Sequence, residues 1–355
     1  MKDKERMSFL RYQFLCCGCI SVPFRDLAKL GDGKMQIMPQ DSMPYRVGGL
    51  LYTPALNERI AETIMTNKYD TLTSLALCLE DSISEESLEL AEEQLRETLL
   101  ILKRSSVNLP LLFVRVRSVD HLNRIHTMLS EAESILTGYV LPKFDLTNCE
   151  SYCHLIREFN SNRKDRLYIM PILESKTVAD SGNRADILWS IKHHLDTVHE
   201  YILNVRVGGN DFSNMYGLRR SETQNIYQIG VIRDILVNII NVFASDYVVS
   251  GPVWEYFGTD DSEPWAEGLR KEIELDQLNG FVGKTAIHPS QLPIIYESLK
   301  VQKRDYDDAY SIVNWSSDGL AVAKSADGQR MNELKCHLKW AKRVLTLAEI
   351  YGVRD

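Results

Sequence analysis

Leu167-Tyr-Ile-Met-Pro-Ile-Leu-Glu-Ser175 and Tyr201-Ile-Leu-Asn-Val-Arg-Val-Gly-Gly-Asn-Asp211 each carry a short apolar run into a carboxylate. Runs of this length, bounded by turn-forming residues, read as buried strands of a parallel sheet. Glu174 and Asp211 then stand at the ends of successive strands. A hard dication requires such a delivery, because Mg2+ is held by one or two carboxylates while substrate oxygens and water complete its octahedron. A second reading is open. A strand-end acid also caps the helix that follows it, where negative charge is favourable.

The same pattern extends outward in both directions. Eight apolar runs occur, at Val47 to Thr53, Thr73 to Leu79, Leu111 to Val116, Gly138 to Leu141, Leu167 to Leu173, Ile202 to Val207, Tyr247 to Ser250 and Val282 to Ile287. Between them lie amphipathic stretches such as Ser84 to Lys103, whose leucines recur at three- and four-residue steps beside Glu and Arg, as on a helix with one apolar face. Strand and helix in alternation predict a parallel sheet with crossover helices. Eight such units in about 250 residues predict an α/β fold of the TIM (β/α)8 barrel class. The barrel is expected over residues 45–304, after an irregular Gly/Pro/Met-rich N-terminal arm at 1–44 and before a C-terminal helical extension at 305–355. In that extension Leu334, Leu338, Ala341, Leu345 and Ala348 share one face of a helix expected over Glu333 to Tyr351, and such a stripe must pack on something. The expectation is a lid over a barrel mouth, that of a neighbouring subunit, with the Gly/Ser/Asp-rich segment Asn314 to Gln329 free to move. The competing arrangement covers the outer wall of the chain's own barrel.

With 44% hydrophobic and 25% charged residues, the 355-residue chain has the balance of an ordinary globular protein. A formal charge of −8 offers no global attraction to nucleic acid or an anionic membrane, while a local basic site can still hold a small anion. No stretch is long and apolar enough to span a bilayer. Arg11 interrupts the opening Met1 to Cys19, which has no clear cleavage site, so it does not read as a signal peptide. The seven cysteines form an odd set and Cys78 lies inside the run Leu75 to Leu79, so a reducing cytoplasm is the expected compartment. Cys16, Cys17 and Cys19 lack a second ligand pair for zinc, and Cys149, Cys153 and His154 lack a fourth partner, so both groups read as something other than metal sites.

In a TIM barrel the C-terminal strand ends carry the site. Collecting the residues there gives Glu80 and Asp81 after the second run, Arg115 and Arg117 at the third, Lys143 after the fourth, Glu174, Asp211, and His288 after the eighth. Acids and bases at one rim can be mere ion pairs of small effect, but their place at strand ends rather than on helix faces favours a site. Trp254, Tyr256 and Phe257 follow the seventh run and either wall the pocket or pack.

These segments carry a resemblance. Leu50-Leu-Tyr-Thr-Pro54, Leu79-Glu-Asp-Ser-Ile83, Val114-Arg-Val116, Leu141-Pro-Lys143, Glu174-Ser175, Gly208-Gly-Asn-Asp211 and Gly280-Phe-Val-Gly-Lys-Thr-Ala-Ile-His-Pro-Ser-Gln291 stand in the order found in the HpcH/HpaI aldolase and citrate lyase beta-subunit family, which the chain resembles from Leu50 onward. Ser325-Ala-Asp-Gly-Gln-Arg-Met-Asn-Glu-Leu-Lys335 resembles a subgroup of carbon-carbon lyases associated with tellurium-resistance and stress-response gene clusters. The resemblance implies a Mg2+-dependent lyase, with Mn2+ as the alternative ion, that breaks or forms a carbon-carbon bond in an oxo-acid, hydroxy-acid or acyl thioester through a metal-stabilised enolate. It places the metal on Glu174 and Asp211, gives Arg115 the grip on substrate oxygens, and leaves Glu80 and Asp81 for the acid-base step or for ordering metal-bound water, with Lys143 as a further catalytic candidate. Arg115, Arg117 and His288 would contact a small anionic substrate, phosphorylated or a CoA thioester. A homo-oligomer, trimer or hexamer, is also implied. The alternatives are an acyl-CoA thioester hydrolase at the same site and a non-catalytic metabolite-binding or scaffold barrel.

The departures shape these expectations. Cys78 and Asn210 replace acids common in the family, Pro54-Ala55 replaces Pro-Gly, and Arg117 replaces Asn. Strand alternation turns Arg117 to the same side as Arg115, so it is expected to favour a second anionic group such as a phosphate, with Arg219 and Arg220 as helpers; the competing role is an ion pair with Glu80 or Asp81. His288 is a candidate base, and it equally reads as the start of the loop and helix that follow it.

Overall fold

Eight parallel strands pair edge to edge in the computed structural model, which describes residues 42–315 and 320–355. They are β1 (Gly49–Pro54), β2 (Ser74–Cys78), β3 (Leu111–Arg115), β4 (Gly138–Leu141), β5 (Tyr168–Leu173), β6 (Val205–Val207), β7 (Val249–Ser250) and β8 (Lys284–Ala286). β1 pairs with β2 on one side and β8 on the other. The remaining seam, between β7 and β8, is closed by the Gly251–Lys284 bridge and by the Val282 and Gly251 amides, which donate to the Val249 and Gly283 carbonyls at 2.8 and 3.0 Å. All eight expected runs are therefore strands of one barrel. Most strands are shorter than their apolar runs: at β6 and β7, Ile202, Leu203 and Tyr247 are buried but lie outside the regular strands.

Parallel strands lie between helices and interior, so they are apolar on both faces. β2, β3 and β4 are buried at every position. Outward residues such as Leu75, Leu77 and Val114 join Ala91, Leu95, Leu99 and Leu102 of the helix Leu88–Arg104 in the outer core. The alternate residues, Leu50, Ala76, Phe113, Val140, Met170 and Ile172, fill the barrel interior, as the period of two requires. With the interior packed and every crossover outside, the chain emerging from each strand meets its neighbours only at the C-terminal rim.

The segment 1–41, with Cys16, Cys17 and Cys19 and nearly all of the expected arm, lies outside the described residues; Met43–Arg46 form a short helix before β1. At the other end, helices Lys303–Val313 and Leu334–Tyr351 enclose a small core of Ala309, Ile312, Ala341, Val344 and Ala348. The stripe on the last helix is therefore used within the chain. The Tyr351 hydroxyl donates to the Tyr45 carbonyl at 2.7 Å, Arg343 to that of Phe281 at 3.4 Å, and Lys339 to that of Ser245. Tyr45, Ser245 and Phe281 all precede strands, so the helix covers the N-terminal rim of its own barrel. Within this chain the apolar stripe therefore finds its cover at the end of the barrel opposite the mouth. Part of the segment expected to move is regular, since Val322–Lys324 pairs antiparallel with Met331–Glu333, and Arg330 donates to Asp305 at 2.8 Å and to Asp308. The strand Val353–Arg354 returns to pair with Val301–Gln302.

Candidate active site

Arg115, the last residue of β3, places Nη2 among three carboxylates: 2.8 Å from Glu80 Oε2, 3.1 Å from Asp81 Oδ2 and 3.6 Å from Glu174 Oε1. Its Nε is buried with no partner, and its guanidinium stands 5.5 Å from the centre of the Tyr52 ring. Glu80 and Asp81 follow β2, and the Asp81 amide donates to Glu80 Oε2 at 2.8 Å. Lys143, two residues beyond β4, takes a left-handed backbone with φ of 49°, a conformation that costs a non-glycine residue energy and is concentrated at functional sites. That backbone aims the Lys143 amide at Glu174 Oε1, 2.8 Å away, while its Nζ lies 2.8 Å from Glu80 Oε1.

Glu174 and Asp211 meet at Gly208. A side chain at Gly208 would collide with the Cβ and Oε2 of Glu174 and lie 3.1 Å from Asp211 Oδ2, so this glycine is what lets the two carboxylates close on one point. Glu174 is buried and Asp211 half-buried. Burial, then the charge of Asp211, pushes Glu174 up to about 8 despite Arg115. Asp211 is also raised, by burial and the charge of Asp81, and shares a hydrogen bond with Glu174. Burial raises Glu80. Burial opposes ionisation of Asp81 too, but its hydrogen bond with Glu80 and the charge of Arg115 hold it below the ordinary carboxylate range.

The strand ends thus bring six of the eight expected residues together, with four acids around Arg115 and Lys143. Residues 41–353 match the family model described as "C-C bond lyase of the TIM-barrel fold". The chain belongs to this family of carbon-carbon bond lyases. A comparison with curated protein sequences found no match. Among solved structures, the lyase is similar to CitE of Mycobacterium tuberculosis in complex with magnesium, acetoacetate and coenzyme A, with 18% identity, 85% of this chain and 99% of that chain covered, and a TM-score of 0.54. A citrate lyase of Burkholderia xenovorans LB400 gives 13% identity, coverage of 86% and 93%, and a TM-score of 0.64. The malate synthase of Haloferax volcanii, in a magnesium/glyoxylate complex, gives 10% identity, 85% and 88%, and 0.54. At such identities these likenesses speak for the barrel fold.

Arg117 departs from the side that strand alternation gave it, while His288 takes the loop-start place that was one of its two readings. Because β3 ends at Arg115, alternation no longer governs Arg117. Its Nε donates to the Leu79 carbonyl at 2.6 Å and its two terminal nitrogens to Glu85 and to the Ile83 carbonyl. It clasps the loop that carries Glu80 and Asp81, and its acidic partner is Glu85 rather than either of them. His288 caps the short turn Pro289–Gln291, stacks on Phe257 with ring centres 4.4 Å apart, and is held below its ordinary pKa by burial. Arg220 is also unavailable as a helper: it is buried against Glu272, with Nη2 and Oε1 3.2 Å apart, and against the Trp254 ring, while Arg219 lies 3.3 Å from Glu255. Trp254 is fully buried and Phe257 exposed. Cys149 and Cys153 are buried in the core. Asn210 points to solvent.

The structure adds Tyr52 and Arg206, which the sequence reading passed over. Both project into the barrel interior, Tyr52 on β1 and Arg206 on β6. The signal for Arg206 was present: a charged residue inside an apolar strand run is a buried charge that needs a reason.

Proposed function

We propose that this lyase is Mg2+-dependent, with Mn2+ as the alternative ion, and cleaves or forms a carbon-carbon bond next to a carbonyl in an oxo-acid, hydroxy-acid or acyl-thioester substrate. The observation that carries this reading is the meeting of Glu174 and Asp211 over Gly208. Two acids pressed together and partly buried are driven toward sharing a proton, and a hard dication relieves both repulsion and desolvation. Among the described residues no group of three or more His, Cys, Asp or Glu forms a metal cage, and Mg2+ is suited to a site that supplies only one or two carboxylates and leaves room for substrate oxygens. Glu174 and Asp211 would hold the ion, which when bound supplies positive charge for a developing oxyanion.

The chain's own residues do the rest. Arg115 orients the substrate: its buried Nε lacks an acceptor, and a planar guanidinium recognises carboxylate oxygens in pairs. The Lys143 amide fixes one Glu174 oxygen, which turns the other toward Asp211. Glu80 has a raised pKa and bonds to both Arg115 and Lys143, so it is the residue best suited to hold and return a proton, with Asp81 as its charged neighbour. Arg117 acts one step back by bracing their loop, and His288 by shaping the rim with Phe257.

The substrate is a small anion, and CoA thioesters fall within the class because the CitE relative was solved with coenzyme A. A reducing cytoplasmic setting is supported by the free thiols Cys78, Cys149, Cys153 and Cys336. Assembly into a homo-oligomer, trimer or hexamer, is supported by exposed Leu320, Val322 and Met331 on the C-terminal hairpin. The direct test is a panel of 2-oxo acids, hydroxy-acids and acyl-CoA thioesters assayed for carbon-carbon cleavage with and without Mg2+. Cleavage that needs Mg2+ and is lost in Asp211→Ala supports the reading; metal-independent turnover or none across the panel rejects it.

A further inference from the structure

Six Arg or Lys residues are buried among the described residues, and five of them face a carboxylate: Arg115 with Glu80, Arg184 with Asp234, Lys192 with Asp196, Arg220 with Glu272, and Lys284 with Glu272 and Asp276. Arg206 is the exception. It is 1% exposed, and its hydrogen-bond partners are neutral side chains only: Thr285 Oγ1 at 2.7 Å, Asn204 Oδ1 at 3.3 Å and Tyr52. Its Nε has no partner, and neither do Asn204 Nδ2 and Ser250 Oγ, Ser250 being its register neighbour on β7. A buried charge without a counter-ion is costly, and a fold that neutralises its other buried cations has left this one unneutralised.

Its position gives the reason. Arg206 is in register with Ile172, two residues before Glu174, so it lies one inward layer, about 7 Å, below the paired acids. The groups that act on it are Tyr52 and Arg115, and Tyr52 is the residue over which Arg115 stands. We infer that Arg206 is a positioning residue for the lyase reaction: its uncompensated charge, with Tyr52 held between it and Arg115, stabilises the negative charge that develops in the pocket above. This rests on the enolate reading proposed above. Preorganised charge of this kind costs stability in the resting protein and acts only when the anion forms. A unit charge about 8 Å away at an effective dielectric near 20 alters a rate on the order of thirtyfold.

The test uses Arg206→Gln and Arg206→Lys in the Mg2+-loaded full chain, reading deuterium uptake from D2O at C3 of pyruvate and 2-oxobutyrate by NMR. In Arg206→Gln uptake should slow on the order of thirtyfold at saturating acid, while affinity for the acid and for Mg2+ stays at wild type and Tm is equal or higher. Arg206→Lys should keep most of the rate. Unchanged uptake in Arg206→Gln, equal slowing in both variants, or slowing accompanied by a lower Tm would overturn the assignment. A wild type that exchanges neither acid, nor the C2 protons of acetyl-CoA and propionyl-CoA in the same assay, rejects the enolate reading itself, and this inference with it.

Discussion

Proton competition at Glu174 gives the sharpest handle on the metal site. In the metal-free protein this carboxyl is pushed up to about 8, first by burial and then by Asp211, against the pull of Arg115 and the Lys143 amide. The groups facing it come from four strand ends: Glu80 and Asp81 after β2, Arg115 on β3, Lys143 after β4 and Asp211 after β6. The sign follows from the raised value. Below about 8 the carboxyl carries a proton that Mg2+ must displace, so affinity falls as pH falls and levels off above about 8. At pH 6 the group sits two units below that value, so Mg2+ binding should be on the order of a hundredfold weaker than at pH 9, about 2.7 kcal/mol. Calorimetry in buffers of different ionisation enthalpy should show close to one proton released per ion at pH 7. Glu174→Gln should bind Mg2+ weakly and lose the dependence over this range. Flat affinity between pH 6 and 8.5 in the wild type, with no proton release, would refute the coupling of the two carboxylates.

Other substitutions separate the site from its supports. Gly208→Ala drives a methyl into Glu174 and should abolish measurable Mg2+ binding while leaving circular dichroism unchanged; wild-type calorimetry in this variant would show that the two acids need not meet there. Lys284→Met leaves Glu272 and Asp276 buried without their shared cation and should cost about 3–5 kcal/mol, read from urea unfolding, and a loss below 1 kcal/mol would contradict it. Arg117→Asn frees the Glu80–Asp81 loop from its clasp and should weaken phosphorylated and simple 2-oxo acids equally at unchanged Mg2+ affinity; selective loss of the phosphorylated ligand would restore Arg117 to the pocket.

The barrel was legible because its signal is repeated eight times and each repeat is local: an apolar run, an amphipathic stretch, an acid or base at the joint. Glu174, Asp211, Arg115, Lys143, Glu80 and Asp81 could be gathered for the same reason, since strand ends need no tertiary information once the fold is chosen. Residues one step beyond that rule were misplaced. Arg117 lies past the last ladder residue, where alternation stops, and loop carbonyls compete for its donors. The amphipathic stripe of Leu334–Tyr351 announces that the helix packs but not on which part of the barrel, because a periodic stripe carries no information about its partner. Arg206 broke the apolar pattern of its own run, and a single charge in such a run shows that a strand carries something polar without showing which neighbours receive it.

The barrel wall is uneven. β1 to β5 have four to six residues each, whereas β6, β7 and β8 have three, two and three. One side is a firm arc with long ladders, and the other is a thin arc joined by ladders of two or three pairs and, between β7 and β8, by a single bridge and two amide bonds. Glu174 hangs from the last strand of the firm arc and Asp211 from the first strand of the thin one. A cation shared by these two side chains is therefore a clasp across the border between two mechanical regimes, and occupancy of the site would set how tightly the thin arc is drawn against the rest.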